Sequence, residues 1–252
     1  MTENKTHKAV TGRGSALGKY QDVMVGSRSL PFLLYFELCS WLGVVPGAVG
    51  MLLRRIFWPR LFGSCGRKVA FGRGIVVRHP KRIHLGDAVV ISEGCILDAR
   101  NPDTDRAVTL GNRVILSTNV MLSCKNGSIT IGDSTGINAG TIIQSTSGCP
   151  VVIGEDGIIG QMCFVVGGGN YNFDRTDLPI RMQGIRDDGG VKIGDNVWLG
   201  GKVTVLGGSS IGTGSVVAAA AVVTGSLPPD SMARGIPARV TGSRREGSKE
   251  CA

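Results

Sequence analysis

Residues Val191–Val223 read VKIGDNVWLGGKVTVLGGSSIGTGSVVAAAAVV, and an aliphatic side chain returns at every sixth position. A period of six fits neither a helix, whose side chains repeat every 3.6 residues, nor an alternating strand. A short fixed period is typical of a solenoid, in which each unit buries its apolar face only by stacking on the next. The period is carried by Ile193, Leu199, Val205, Ile211, Val217 and Val223. We therefore predict a coil with three flat sides, each made by one six-residue unit.

Each unit also has a small or β-branched residue two positions before the next aliphatic one. We expect this residue to share the crowded interior near a corner of the coil. We expect Gly, Asp and Asn to form the corner itself, where a positive φ is often needed. The small positions are Val197, Val203, Ser209, Ser215 and Ala221.

The same phase runs upstream, so the coil is predicted to be long. Two polar stretches, Asp98–Ala107 and Tyr171–Gly190, are predicted to be excursions from it. The upstream aliphatic positions are Leu85, Ile91, Leu97, Leu110, Leu116, Leu122, Ile131, Ile137, Ile143, Ile153, Ile159 and Val165.

Three features carry a resemblance to a known family: IGDNVWLGG at Ile193–Gly201, the repeats that follow it, and LPPDSMARGIPARV at Leu227–Val240. Because of these features, the stretch from about Val69 to Val240 resembles the hexapeptide-repeat acyltransferases, which have a left-handed β-helix fold. The resemblance is to their sugar O-acetyltransferase branch. The resemblance implies an all-β fold, a left-handed parallel β-helix (hexapeptide-repeat solenoid) with an N-terminal helical segment and a short C-terminal extension.

We predict four parts in the chain. A basic flexible arm spans residues 1–19, and an apolar and basic helical segment spans 20–65. The left-handed β-helix spans 66–226, with a long loop at 171–190. A C-terminal extension and tail spans 227–252, and Pro228-Pro229 is expected to end the coil.

The helical segment contains an apolar stretch, Leu30–Leu53, whose only charged residue is Glu37. Pro31, Pro46 and several glycines divide the stretch into pieces that are each too short to cross a bilayer. We predict two short helices in residues 30–62 that lie on or dip into the cytoplasmic leaflet of a membrane. The alternative is that these helices pack on the base of the coil or on a neighbouring subunit.

Composition narrows the function classes. The net charge is +9, and residues 1–68 carry +7 of it without an aromatic-basic module, which argues against nucleic-acid binding. The seven cysteines have no paired metal spacing, and the first twenty residues are polar and basic, unlike a cleavable signal peptide. We therefore expect free thiols in a reducing compartment. The protein is predicted to be cytoplasmic, and peripheral on the inner face of the membrane. Three histidines without a cluster argue against a metal site.

The resemblance implies a reaction and its partners. In the family, acetyl-CoA is the cosubstrate, no metal takes part, and the site lies between two subunits of a homotrimer. The acetyl group passes directly to a hydroxyl of a saccharide acceptor, here a surface polysaccharide or a lipid-linked precursor. Matching positions imply that Trp198 borders the reaction centre, Gly201 lies by the thioester, and Arg239 meets a CoA phosphate. Ala219 and Thr224 are implied to line the pantetheine arm.

The long loop reads GGGNYNFDRTDLPIRMQG, and it departs from the family at one position. Similar enzymes place a histidine there that takes the proton of the acceptor hydroxyl, whereas this chain has Tyr171. A phenol has a pKa near 10 against about 6.5 for imidazole, so only about one in a thousand is ionised at neutral pH. The candidate catalytic residues are Asn170, Tyr171 and Asp174.

Three hypotheses remain open at this point. Asp174 or Asp177 could be the base, with Tyr171 orienting the acceptor. Proximity and an oxyanion site could suffice for slow transfer. Alternatively, the chain is a non-catalytic scaffold or a CoA-binding homologue that has lost its general base.

Overall fold

The computed structural model describes residues 14–247, with side chains to Arg245. Residues 1–13 of the predicted arm and residues 248–252 of the predicted tail lie outside the described residues. Most of the chain forms a left-handed parallel β-helix with three sheets, as predicted. Strands are numbered in chain order, and each sheet runs the length of the coil.

Sheet A has eight strands in the order of the chain. They are β1 (Ser64–Cys65), β4 (Ile83–Leu85), β7 (Val108–Leu110), β10 (Ile129–Ile131), β13 (Val151–Ile153), β18 (Val191–Ile193), β21 (Ser210–Ile211) and β24 (Ser226–Leu227).

Sheet B has nine strands, of which the last pairs antiparallel. They are β2 (Ala70–Phe71), β5 (Val90–Ile91), β8 (Ile115–Leu116), β11 (Gly136–Ile137), β14 (Ile158–Ile159), β19 (Trp198–Leu199), β22 (Val216–Val217), β25 (Ser231–Arg234) and β26 (Arg239–Ser243).

Sheet C has seven strands, and a separate two-stranded hairpin lies in the long loop. The strands of sheet C are β3 (Val76–Arg78), β6 (Ile96–Arg100), β9 (Met121–Lys125), β12 (Ile142–Thr146), β15 (Phe164–Gly167), β20 (Thr204–Val205) and β23 (Val222–Val223). The hairpin pairs β16 (Asn170–Tyr171) with β17 (Ile185–Arg186).

The interior of the coil follows the six-residue period. Every predicted aliphatic position is buried, and so is every small position of Val191–Val223. Polar residues in the small positions bond inside the coil, as where the Ser209 hydroxyl donates to Val223 O at 3.2 Å. The periodic pattern therefore predicted the core correctly.

Corner residues such as Gly94, Gly140 and Asn119 have the expected positive φ, whereas glycines such as Gly86 have a different role. Gly86 stacks on the next corner, and a Cβ on it would lie 2.6 Å from the carbonyl carbon of Gly111. The positive φ falls two residues later, as at Ala88 (φ 56) and Arg113 (φ 56). These glycines are required because successive coils approach closely.

The N-terminal segment is helical. Helix α1 (Ala16–Tyr20) continues into a π-helical turn, Gln21–Val25. Two longer helices follow, α2 (Leu30–Val44) and α3 (Gly47–Phe57), and a 3₁₀ turn at Trp58–Leu61 leads into the coil. The break between α2 and α3 falls at the predicted Pro46.

One side of these helices packs on the first coil. The Trp58 and Phe71 rings lie 5.3 Å apart, and Arg54 Nε donates to Phe71 O at 3.0 Å. Within residues 14–247, no helix combines the length and the hydropathy needed to cross a membrane.

Two boundaries differ from the sequence prediction. Strand β6 continues through Asp98 and Arg100, so the predicted excursion at Asp98–Ala107 begins only after Arg100, and Asp98 is buried. Pro228-Pro229 does not end the coil, because β25 follows it and still pairs with β22 in sheet B. Strand β26 then folds back on β25, and a short helix, α4 (Arg244–Gly247), follows.

Candidate active site

The long loop leaves the coil after Gly167, at the corner between sheets C and A. Its base is closed by one carboxylate, Asp188, which accepts from Gly168 N (3.0 Å), Gly190 N (2.8 Å) and Asn170 Nδ2 (2.8 Å). The predicted catalytic residue Asn170 therefore has its side-chain amide engaged in holding the loop. Its neighbour Asp187 accepts from the buried Cys149 thiol at 3.3 Å.

The middle of the loop is held by Gln183. Its Oε1 accepts from Arg175 N at 3.0 Å, and its Nε2 donates to Leu178 O at 3.0 Å. Arg175 also pairs with Asp177 through both carboxylate oxygens. This contact lowers the pKa of Asp177, which makes that carboxylate a weaker base.

Tyr171 and Asp174 lie on the exposed side of the loop. Tyr171 is opposite Ile185 in the hairpin and is 44% exposed. Asp174 lines a shallow cavity of about 390 Å³ together with Asn172, Leu178 and Gln183. A hydroxyl-bearing molecule in this cavity would have the Asp174 carboxylate in its wall.

The predicted donor-site residues lie mostly along the corner between sheets B and C. Trp198 begins β19 on the outer face of sheet B, with 53% of its surface exposed. Gly201 and Ala219 occupy the same corner in successive coils, where Ala220 N donates to Gly201 O at 2.9 Å. Arg239 opens β26 directly above, next to Ala238, whose N–H donates to Val222 O at 2.7 Å.

Thr224 does not join this group. It follows β23 and lies at the corner between sheets C and A, above the long loop. Trp198 is on sheet B, which faces away from the corner that carries the loop. One chain therefore does not bring Tyr171 and Trp198 together.

Sheet B presents an apolar ladder on its outer face. The ladder consists of the outward residues of strands β5 to β25 that stand in register: Val90, Ile115, Gly136, Ile158, Trp198, Val216 and Met232. Ile115, Ile158 and Trp198 are each about half exposed, at 48%, 55% and 53%. Gly136 interrupts this row between Ile115 and Ile158, and exposed apolar patches of this kind are typical of surfaces that contact other molecules.

Sequence reasoning missed the residues that hold the loop. Asp187-Asp188-Gly189-Gly190 has the composition of a turn, but the sequence does not say which carboxylate closes the loop. Within residues 14–247, no group of three or more His, Cys, Asp or Glu side chains is placed to hold a metal ion.

Comparison with known proteins agrees with this architecture. Residues 190–225 match the family model described as bacterial transferase hexapeptide (six repeats). A probable acetyltransferase of Mycobacterium tuberculosis is 32% identical over 169 residues, which cover 65% of this chain and 55% of that protein. A putative lipopolysaccharide biosynthesis O-acetyl transferase, WbbJ of Escherichia coli, is 38% identical over 96 residues, covering 36% and 48%.

The chain thus spans about half the length of the curated relatives it matches. Among solved structures, a UDP-N-acetylglucosamine acyltransferase from Campylobacter jejuni superposes with a TM-score of 0.51. It is 16% identical, and the match covers 75% of this chain and 73% of that one, so the likeness concerns the fold.

Proposed function

We propose that this chain, a hexapeptide-repeat protein of left-handed β-helix fold, is an O-acetyltransferase that moves an acetyl group from acetyl-CoA to a saccharide hydroxyl. The observation that carries the proposal is the strip at the corner of sheets B and C. It has an exposed aromatic residue (Trp198), two small corner residues (Gly201 and Ala219) and a guanidinium group at its end (Arg239). The aromatic residue suits an acyl thioester, the small corner residues leave room for a narrow pantetheine arm, and the guanidinium group suits a phosphate. The two curated relatives are described as acetyltransferases.

The proposed step is direct transfer. The acceptor hydroxyl oxygen bonds to the thioester carbonyl carbon while its proton passes to a base, and the tetrahedral oxyanion is held by hydrogen-bond donors. When the oxyanion collapses, the C–S bond breaks, and the CoA thiolate that leaves takes the proton from the base to become the free thiol. Asp174 is a better candidate for the base than Asp177, which Arg175 holds in an ion pair.

A homotrimer would complete the site. The loop lies at the corner opposite sheet B, so the loop of one subunit can meet Trp198 only on another subunit. The apolar ladder is a surface that a second copy would cover, and residues of both copies would then line one cleft. The rival proposal, a non-catalytic scaffold, rests on the absence of a histidine at Tyr171.

We expect Ile115→Glu to dissociate the trimer and to abolish acetyl-CoA binding. A carboxylate buried in an apolar interface costs several kcal/mol, and Ile115 is three strands away from Trp198 on sheet B. Sedimentation equilibrium and calorimetry on the same samples measure both effects. Val152→Glu, at an outward position of sheet A that is 38% exposed, is the matched control and should change neither. A monomer that still binds acetyl-CoA normally would contradict a site between subunits.

We further propose that the helical segment lies on the cytoplasmic face of a membrane. Apart from Glu37 and Ser40, helix α2 is apolar on its inner and outer faces: Leu33, Phe36 and Cys39 pack inward, while Leu30, Leu34, Leu38 and Trp41 are 46–74% exposed. Arg55 in α3 and Arg60 in the 3₁₀ turn are exposed, and they would meet anionic headgroups.

The double variant Leu34→Ser, Trp41→Ser is expected to weaken binding to anionic vesicles at least tenfold. Each side chain contributes about 1.5–3 kcal/mol if it is fully buried in lipid. Co-sedimentation with phosphatidylglycerol vesicles measures the effect, and Val152→Ser is the control. Equal sedimentation of the wild type and the double variant would mean that this face does not bind membrane.

A further inference from the structure

A second cavity, of about 360 Å³, lies at the base of the coil on the same corner as the long loop. One wall is the π-helical turn and the residues up to Arg28. The other wall is made by the ends of the first three strands of sheet C, where His79, Arg100 and Asn126 lie. None of these residues has a part in the acetyl transfer described above.

His79 is fixed at the back of this cavity. It has a positive φ of 53°, and its N–H donates to Met24 O at 3.0 Å. Its Nδ1 lies 2.7 Å from Arg82 Nη1 and its Nε2 lies 3.0 Å from Asp22 O. Arginine can only donate and a carbonyl can only accept, so the neutral ring with its proton on Nε2 satisfies both contacts. Burial lowers the pKa of His79, and the positive charge of Arg82 lowers it further.

The cavity has more positive than negative groups. Arg28, Arg82 and Arg100 line it, against one lining carboxylate, Asp22, which pairs with Arg28 at 2.7 Å. Behind the wall, the buried Asp98 carboxylate accepts from both Arg78 (3.0 Å) and Arg100 (2.6 Å). With His79 neutral, the four guanidinium groups exceed the two carboxylates, so the cavity favours an anion.

We propose that this cavity binds a phosphate or diphosphate group of the acceptor. Guanidinium groups match the oxygens of a phosphate, and three arginines, Arg28, Arg82 and Arg100, line this cavity. The identification of the ligand as the acceptor rests on the proposed acetyltransferase function, whereas anion binding by the cavity does not.

The position of the cavity suits an extended acceptor. Arg100 ends β6 and the long loop leaves from β15, three strands further along sheet C at the same corner. Three steps of about 4.8 Å give a separation of roughly 14 Å. Arg28 lies two residues before Leu30, where the exposed apolar face of α2 begins. An acceptor held by its phosphate at the membrane end would reach the loop with its saccharide.

The test is the binding of inorganic pyrophosphate to the full chain by calorimetry. We expect Arg82→Gln and Arg28→Gln each to weaken binding at least tenfold, because each removes a charge-assisted contact. Arg28 is largely exposed and its replacement leaves the fold intact. Arg113→Gln, an exposed arginine at the corner of sheets A and B, is the control and should have no effect. In NMR spectra, pyrophosphate should move the ring signals of His79 and leave those of His84.

Two further arms identify the source of the phosphate. Vesicles of phosphatidylcholine doped with phosphatidic acid, but not pure phosphatidylcholine vesicles, should compete with pyrophosphate if the group is lipid-linked. If pyrophosphate binds and the vesicles do not compete, the cavity binds the phosphate of a soluble acceptor. No pyrophosphate binding, or equal weakening by Arg113→Gln and Arg82→Gln, would overturn the proposal.

Acetyl-CoA binding keeps the two proposals apart. We expect Arg82→Gln to leave it unchanged, because the donor strip is on another corner of the coil. If the wild type binds pyrophosphate but not acetyl-CoA, the acetyltransferase proposal is contradicted and the anion-site proposal is supported.

Discussion

Replacing Tyr171 with histidine is expected to raise the rate of acetyl transfer by about 100-fold. Imidazole is largely neutral at pH 7.5 and can accept the hydroxyl proton, whereas about one phenol in a thousand is ionised at neutral pH. Tyr171 is fixed in a hairpin opposite Ile185 and is half-exposed, so a histidine has room there without repacking the coil. Release of the CoA thiol from acetyl-CoA, with methyl glycosides as acceptors, measures the rate.

The pH dependence distinguishes a gain of base from other effects. Only neutral imidazole can act as a base, so transfer by Tyr171→His should rise as the pH passes through about 6.5 and then level off.

Two variants control this experiment. Phe173→His places an imidazole two residues away in the same loop, at a side chain that is 77% exposed, and should give no gain. If Asp174 is the base and Tyr171 only orients the acceptor, Tyr171→Phe should lower the wild-type rate modestly, through loss of one hydrogen bond. A Tyr171→His protein that binds acetyl-CoA normally and transfers no faster would contradict our assignment of position 171.

Arg54→Met is expected to lower the free energy of unfolding by about 2–4 kcal/mol. Arg54 is 2% exposed, and its Nη1 donates to Leu42 O (3.1 Å) and Val45 O (2.8 Å) at the end of α2. Its Nε donates to Phe71 O in β2, which ties the helices to the coil. Methionine fills a similar space but removes the Arg54 donor from the Val45 and Phe71 carbonyl groups, and Pro46 has no N–H to replace it, whereas Leu42 O keeps the Val45 N–H.

The adjacent Arg55 is the matched control. Its side chain is exposed, so Arg55→Met should change the free energy of unfolding by no more than about 0.5 kcal/mol. Thermal unfolding by circular dichroism, at one protein concentration, compares the two variants with the wild type. Equal shifts in the unfolding temperature would mean that the Arg54 contacts contribute little.

The six-residue period predicted the coil because burial in a solenoid is local. Each of Leu199, Val205 and Ile211 meets the equivalent residue of the next coil, so periodicity in the sequence becomes proximity in space. The corner glycines show the limit of that reasoning, since close approach between coils and positive φ both select glycine. In the structure, close approach between coils requires the glycine at Gly86, whereas the positive φ lies at Ala88.

The contacts that the sequence did not predict join residues far apart in the chain. Arg54 bonds to Phe71, His79 bonds to the π-helical turn, and Asp188 closes a loop that begins at Gly168. Arg54 and Arg55 look alike in the sequence, and nothing in their neighbours indicates which one is buried. The assignments of Tyr171, Asp174, Trp198 and Arg239 to catalysis and donor binding stay predictions.

Calorimetric titration of acetyl-CoA into the full chain tests the acetyltransferase proposal most directly. We predict saturable binding that Trp198→Ala and Arg239→Ala each weaken about tenfold, through loss of an aromatic contact and of a charge-assisted phosphate contact. Arg113→Ala, at another corner, should bind as the wild type does. No binding by the intact protein, or binding that Trp198→Ala and Arg239→Ala leave unchanged, would contradict the proposed donor site and favour the scaffold.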